Sequence, residues 1–485
     1  MPAQPTTNSD LEAKLAIQPT AQLLQHSRRT TFIMILILLL ATALRVHNLG
    51  SASLWSDETR SALVALNTPL QIIGSAGADV HSPAFYLIEH YWIQGLGQSD
   101  YSIRLLSVCA SLLTISTTFA LSKRLLSADS GSMAALLVAV SEFHLRLAQE
   151  ARPYALLSLL TTASFLMMSH LVRSTTANAS VKYLLATVPL IYIHPYGVIV
   201  VAAQNIFMLM QLKTYRNAKR WATAWISTQC GLLLAFSPWM AQFVAQISRV
   251  ERGVLSYYAP PTAQNVLGTL LEFANLSRYL LGLLLLLAFA AFWGHGSSKM
   301  RPTYAMLSVW FIAPIGLAFT VSWAITPIYD TRGLIGCSPA LYILASHGWE
   351  KLRNRYLQAA LLVVMLGFCI EALWYYYPNV HKDDWRGAAT IISAHAHQGD
   401  SLCVVEYYDD ALRFYLSRTD LVVGCGSIFE ILADQRKFNM LPVRFWFLHQ
   451  NSAVIGENPR ELLLPYYSIS TFDLTGLQLS LFERH

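Results

Sequence analysis

The sequence predicts a polytopic α-helical membrane protein that carries a small α/β domain at its C-terminal end. Three observations predict it. Of 485 residues, 54% are hydrophobic and only 13% are charged, a balance too apolar for an ordinary soluble enzyme. Apolar runs recur at membrane length: a hydrocarbon core of about 30 Å takes about 20 mostly apolar residues per helix, and that ruler gives about eleven transmembrane helices. Their limits are 30–47, 105–123, 131–148, 155–172, 182–194, 196–213, 221–243, 279–294, 303–324, 333–349 and 357–377. Beyond residue 378 the composition shifts, and short amphipathic and alternating segments replace the long apolar runs.

Residues 1–29 read as a polar cytoplasmic tail ending in "HSRRTT". Ala41 and Ala43 in the run that follows resemble a cleavage site, but its apolar character continues to Val46 and further spans follow, so it reads as a retained signal anchor. Lys and Arg then mark alternate connections: Arg28 and Arg29, Lys123 and Arg124, Arg173 and Lys182, Lys213 to Arg220, Lys299 and Arg301, and Lys351 to Arg355. The positive-inside rule makes that side cytoplasmic. The opposite connections hold no lysine before the tail and mix arginine with acids. They are also the long ones, at 48–104 and 244–278, and "PAFYLIEHYWIQGL" in the first reads as an amphipathic helix lying in the interface. "HPYG" at 194–197 turns the chain between the fifth and sixth spans.

An odd number of spans brings the tail out on the same side as loop 48–104. There "DDWRGAATIISAHAH" has helical periodicity, "SLCVVEY" and "LVVGC" read as short buried strands with helix-like "ALRFYLS" between them, and "YYSISTF" and "LQLSLFE" alternate at period two. The chain thus divides into a tail at 1–29, a transmembrane domain at 30–377 and an extracytoplasmic α/β domain at 378–485.

Several classes are excluded. The net charge of +6 belongs to cytoplasmic loops, and no basic stripe with interleaved aromatics points to nucleic acid. No CxxC or Cys/His metal spacing occurs. Cys109, Cys230, Cys337 and Cys369 lie in apolar runs as small buried hydrophobes. Cys403 and Cys425 fall in the tail, where an oxidising compartment would let them pair.

The acids on the outer side carry the chemical interest. Asp57 and Glu58 follow Ser56 directly after the first span. Either they occupy the first turn of a helix, where the dipole and unpaired N–H groups favour acids, or one is a general base at the membrane surface. Glu150 and Arg152 in "QEARPYAL" either pair with each other or position a substrate. Asp383 and Asp384 read as caps of the tail's first helix.

"LGSASLWSDET", "DVHSPAFYLIEHYW", "SIRLLS", "AQEARPYALLSL", "YDTRGLIGCSPALYILASHG" and "KDDWRGAATIISAHAHQGDSLCVV", in that order, resemble the GT-C glycosyltransferases. Within them the chain is most similar to the bacterial family 39 members related to protein O-mannosyltransferases and to lipid A aminoarabinose transferases. The resemblance implies a polyprenyl-phosphate-linked sugar donor, an extracytoplasmic active site in a prokaryotic plasma membrane, and inversion at the anomeric carbon. The acceptor expected of such an enzyme is a hydroxyl on a lipid, glycan or protein.

Carried over by position, Asp57 is the catalytic carboxylate, Glu58 its partner or a metal ligand, and Glu150 a substrate-positioning acid. The departing phosphate calls for guanidinium groups, which grip it in two-point fashion; Arg104, Arg152, Arg252 and Arg332 are the candidates, with Tyr329 beside Arg332. His81 corresponds to a family motif in which Ser82 here replaces a proline, and Tyr154 stands where relatives have an acid. Relatives that use a divalent cation leave Mg or Mn open, with Asp57 and Glu58 as hard oxygen ligands. A flippase or transporter of lipid-linked sugars is the alternative from another class, disfavoured because acids and arginines keep to one face and no repeat is found. An oligosaccharide ligase or polymerase would differ in donor size.

Overall fold

The computed structural model describes the chain apart from residues 1–7, 77–81, 213–217, 252–258, 294–299, 380–381, 405–408, 417–419, 424–440 and 452–462. The helices, in order, are α1 (Asn8–Val46), α2 (Ser56–Ala65), α3 (Pro69–Ala76), α4 (Pro83–Leu96), α5 (Asp100–Leu125), α6 (Ala128–Val140), α7 (Glu142–Ala148), α8 (Tyr154–Arg173) and α9 (Ala177–Ile193). There follow α10 (Tyr196–Gln211), α11 (Ala218–Glu251), α12 (Ala263–Glu272), α13 (Arg278–Ala290), α14 (Arg301–Ala324), a 3₁₀ turn at Arg332–Cys337, α15 (Ser338–Glu350) and α16 (Arg355–Asn379). The C-terminal part holds α17 (Trp385–His395), β1 (Ser401–Val404), α18 (Asp409–Tyr415), β2 (Val422–Val423), β3 (Arg444–Gln450), β4 (Tyr467–Leu474) and β5 (Leu477–Arg484). Two compact units result: Met1–Val46, Val108–Ala148 and Tyr154–Leu373 form one, and His47–Ser107, Gln149–Pro153 and Trp374–His485 the other.

The first unit is a helical bundle. Every run predicted as a span is helical along most of its length. Among the described residues, six helices are long and apolar enough to cross a membrane, or seven with one bent pair, while α9, α10 and α13 are apolar but shorter. The bent pair is α6 and α7, which turn by 60° where a single span at 131–148 was expected. Ser141 leaves the helix with ψ 121, and its hydroxyl accepts from the Tyr342 hydroxyl at 3.2 Å. A broken helix exposes carbonyls that water cannot reach here. Arg45, wholly buried at the end of α1, takes two of them, donating to Ala139 O at 2.9 Å and Val138 O at 3.1 Å. Around this point Met34, Ile37, Val138, Leu284, Tyr342 and Met365 join one buried cluster, while Val363, Ile370 and Trp293 stay exposed as lipid-facing side chains of a membrane bundle do.

Among the described residues of the second unit, five strands form one sheet in the order β2-β1-β3-β5-β4. β1 runs parallel to both β2 and β3, and β3, β5 and β4 are antiparallel. Trp385, Ile392, Leu402, Leu412, Trp446 and Leu479 fill one of its cores. β3 has no counterpart in the sequence reading; four successive buried residues, Phe445 to Leu448, erase the alternation that marks a half-exposed strand. Loop 48–104 folds here as α2, α3 and α4. Leu54, Ala62, Ala65, Ile93, Ile103 and Ala151 pack together, with Phe414 and Tyr415 of α18 against them. Cys403 is disulfide-bonded, and Cys425 lies outside the described residues; Cys109, Cys230, Cys337 and Cys369 are free.

Candidate active site

The paired acids stand in the first turn of α2, which starts at Ser56, yet their surroundings differ completely. Glu58 is wholly buried. It reaches back to accept from Trp55 N at 3.2 Å, as an acid at this helix position can, and accepts from Ala151 N at 2.8 Å. Arg104 grips it at two points, Nε to Oε1 at 2.8 Å and Nη2 to Oε2 at 2.7 Å. Lys382 donates to Oε2 at 3.0 Å. Burial alone would raise the pKa of Glu58, but the Arg104 and Lys382 charges and these hydrogen bonds outweigh it and lower the value to about 2. The carboxylate stays ionised and is spent on structure.

Arg104 is spent likewise. Besides Glu58 it donates to Leu49 O at 2.9 Å, Ala52 O at 2.7 Å and Ser53 O at 2.8 Å. Those bonds occupy all five N–H groups of a guanidinium, which leaves none for the phosphate grip expected of it. It ties the chain entering α2 to Glu58 instead.

Asp57 points elsewhere: its side chain keeps 33% of its exposure. Arg152 lies beside it, donating from Nη1 to Asp57 O at 3.1 Å and Ser61 Oγ at 2.8 Å, with Nη2 3.9 Å from Asp57 Oδ2. Arg152 thus holds the backbone of Asp57, while the Asp57 side chain stays partly exposed. Glu150 closes the turn through its carbonyl, which accepts from Arg152 N at 2.9 Å, and its charge acts on Lys382.

The first residues of the tail complete this centre. Lys382 also donates to Gln149 O at 3.3 Å. Asp384 caps α17 by accepting from Gly387 N at 2.9 Å and accepts from Ser53 Oγ at 3.2 Å. Asp383 instead accepts from the Gln450 amide. Arg386 reaches Asp100 at 3.0 Å and Ser51 O at 2.7 Å, and the Tyr415 hydroxyl bridges Asp100 and Leu54 N at 2.9 and 2.7 Å. Loop and tail fold as one body.

Two residues of this centre escaped the sequence reading. Lys382 opens "KDDWRG", a stretch whose aspartates stand out as helix caps while the lysine carries no local signal. Glu89 lies mid-way along α4 among buried apolar neighbours. It is fully buried, and among the described residues neither carboxyl oxygen has a hydrogen-bond partner. Its only sequence signal is an acid on the apolar face of an amphipathic helix.

Tyr154, Tyr329 and Arg332 belong to the helical bundle. The Arg332 guanidinium lies 5.1 Å from the centroid of the Tyr154 ring and 3.5 Å from Asp330. The Tyr329 hydroxyl bonds Thr269 at 2.9 Å. Tyr196 braces this loop by donating to Ile328 O and accepting from Asp330 N, both at 2.7 Å. His81 and Arg252 lie outside the described residues.

The residues fit a divalent cation poorly. Among those described, no three His, Cys, Asp or Glu side chains come together as a metal site, and both Glu58 oxygens are taken up by cations and N–H groups. Of the paired acids, Asp57 is the more exposed, with 33% of its side-chain surface accessible, and carboxylate oxygen suits a hard ion.

No family model and no curated protein matches the sequence. Solved structures do match. ArnT from Cupriavidus metallidurans bound to undecaprenyl phosphate superposes with a TM-score of 0.62 over 94% of this chain and 98% of its own, at 13% identity. The archaeal oligosaccharyltransferase AglB from Archaeoglobus fulgidus, in complex with an inhibitory peptide and a dolichol-phosphate, gives 0.55 over 93% of this chain and 74% of its own, at 10% identity. The Archaeoglobus fulgidus oligosaccharyltransferase complex with Zn and sulfate gives 0.58 over 92% and 73%, also at 10% identity. The chain shares the fold of these structures, which is the GT-C fold expected from the sequence.

Proposed function

We propose that this protein is a membrane glycosyltransferase that moves one sugar from a polyprenyl-phosphate carrier to a hydroxyl of a lipid, glycan or protein on the non-cytoplasmic side of the membrane. The reading rests on the fold, and on the carriers that its structural neighbours bind: undecaprenyl phosphate and dolichol-phosphate. One observation carries the assignment of roles. Of two adjacent acids, Glu58 is buried and neutralised while Asp57 remains accessible with its backbone held by Arg152.

Asp57 is the general base. The acceptor oxygen attacks the anomeric carbon, its proton passes to the Asp57 carboxylate, and the bond from that carbon to the phosphate oxygen breaks with the electron pair leaving on the phosphate. A positioned base contributes about 10²–10⁴-fold to such a step. The phosphate is a good leaving group and needs cations rather than an acid; Arg332, whose side chain keeps 27% of its exposure, keeps its sequence-based assignment to that task. Glu58 and Arg104 act through the loop they brace.

The test is to incubate purified protein with a panel of polyprenyl-phosphate sugars and an acceptor-containing membrane extract, following release of free polyprenyl phosphate. Release that requires both donor and acceptor supports the reading. Intact donors across the whole panel, or movement of the intact lipid-linked sugar between leaflets, would contradict it.

A further inference from the structure

Arg104 and Lys382 both face Glu58, yet only one of them can leave. Arg104 has every N–H committed and a side chain 2% exposed. Lys382 uses two of its three ammonium hydrogens, on Glu58 and on Gln149 O, and its side chain is 15% exposed. If the ammonium turns away, Glu58 still holds both Arg104 bonds and the N–H groups of Trp55 and Ala151, so no buried charge is stranded. Breaking an ordinary buried pair strands one and is costly. A second cation on an already paired carboxylate is therefore surplus to the fold. The charged groups around it are Glu58 and Glu150, which attract it, and Arg104, which repels it. A compact ammonium on a flexible four-carbon stem suits a switch of partner better than a guanidinium locked at five points.

We infer that Lys382, supplied by the C-terminal domain, is a binding residue for the phosphate of the lipid carrier, exchanging a contact with Glu58 for one with the phosphate oxygens. The inference deepens the proposed function and rests on it. It makes the C-terminal domain part of the donor site, because Lys382 lies two and four residues before Asp384 and Arg386, which fasten that domain to the first loop.

The experiment compares binding of polyprenyl phosphate with binding of the uncharged polyprenol to full-length protein, for the wild type, Lys382→Gln and Lys382→Arg. The wild type should prefer the phosphate. Lys382→Gln should weaken phosphate binding by about tenfold or more with polyprenol binding unchanged, and Lys382→Arg should retain most of the preference. Equal loss of both lipids in Lys382→Gln, or in Lys382→Arg, would assign Lys382 to structure alone and overturn the inference. So would phosphate binding by Lys382→Gln as tight as the wild type. Should Lys382→Gln fail to fold, Lys382→Met, uncharged and of similar length, takes its place under the same criteria. A wild type that does not distinguish polyprenyl phosphate from polyprenol would instead count against the proposed function.

Discussion

Arg104 holds Glu58 in a two-point ion pair, at 2.8 and 2.7 Å, with the two side chains 2% and 0% exposed. Removing one partner of such a pair leaves the other charged and buried, which costs about 3–5 kcal/mol, whereas removing both is far less costly. Arg104→Met and Glu58→Gln should each lower the melting temperature strongly, and the double variant should be less destabilised than the sum. Additive losses in a double-mutant cycle would show that the two do not depend on each other.

Acid should attack the same pair. The Glu58 pKa is pushed up by burial and down, more strongly, by Arg104 and Lys382, from 4.5 to about 2. A carboxyl with a depressed folded-state pKa stabilises the protein fully above its unfolded value and loses that contribution as pH falls through the window from 4.5 toward about 2. The amount at stake is about 3 kcal/mol. Unfolding in detergent, followed as pH is lowered through that window, should show the wild type losing stability more steeply than Glu58→Gln. Parallel curves would refute the linkage.

Glu89 predicts the opposite slope. Burial raises its pKa well above the usual carboxyl value, Glu58 adds to the rise, and Arg152 opposes it. The folded protein keeps a proton that the unfolded chain gives up, so this group's contribution is complete below the unfolded pKa and is lost as pH rises, by up to about 1.4 kcal/mol per pH unit until the folded value is reached. Glu89→Gln preserves the neutral shape. Its stability relative to the wild type should grow as pH rises above the unfolded carboxyl value of about 4.3. A constant difference over that range would mean that Glu89 is already ionised.

Gly333 shows how tightly the Arg332 loop is seated. A Cβ there would lie 2.7 Å from the Tyr196 ring, the ring that braces Ile328 and Asp330. Gly333→Ala should cost about 1–3 kcal/mol through overpacking, and much less in a Tyr196→Ala background. An equal cost in both backgrounds would exclude the clash as its cause.

Most of the bundle was legible because apolar runs of bilayer length have few alternatives to a helix. What escaped was set by contacts distant in sequence. The bend at Ser141 depends on Arg45 and Tyr342, neither of which is near it in the chain. β3 reads as a featureless apolar run because it is covered on both faces. The acids of "SDET" stand out in the sequence and the resemblance sets Asp57 apart as the base, but nothing local says which of the two is buried; the arrival of Arg104 and Ala151 at Glu58 decides that. The same contacts take Arg104 out of the set of phosphate ligands and bring Lys382 forward.

The division between those two acids is tested most directly by turnover of Asp57→Asn, measured as release of polyprenyl phosphate at matched folded fraction. Asp57→Asn should melt close to the wild type, since its side chain is one-third exposed, and should turn over about 10²–10⁴-fold more slowly. Turnover within a few-fold of the wild type would remove Asp57 as the base and with it the central assignment.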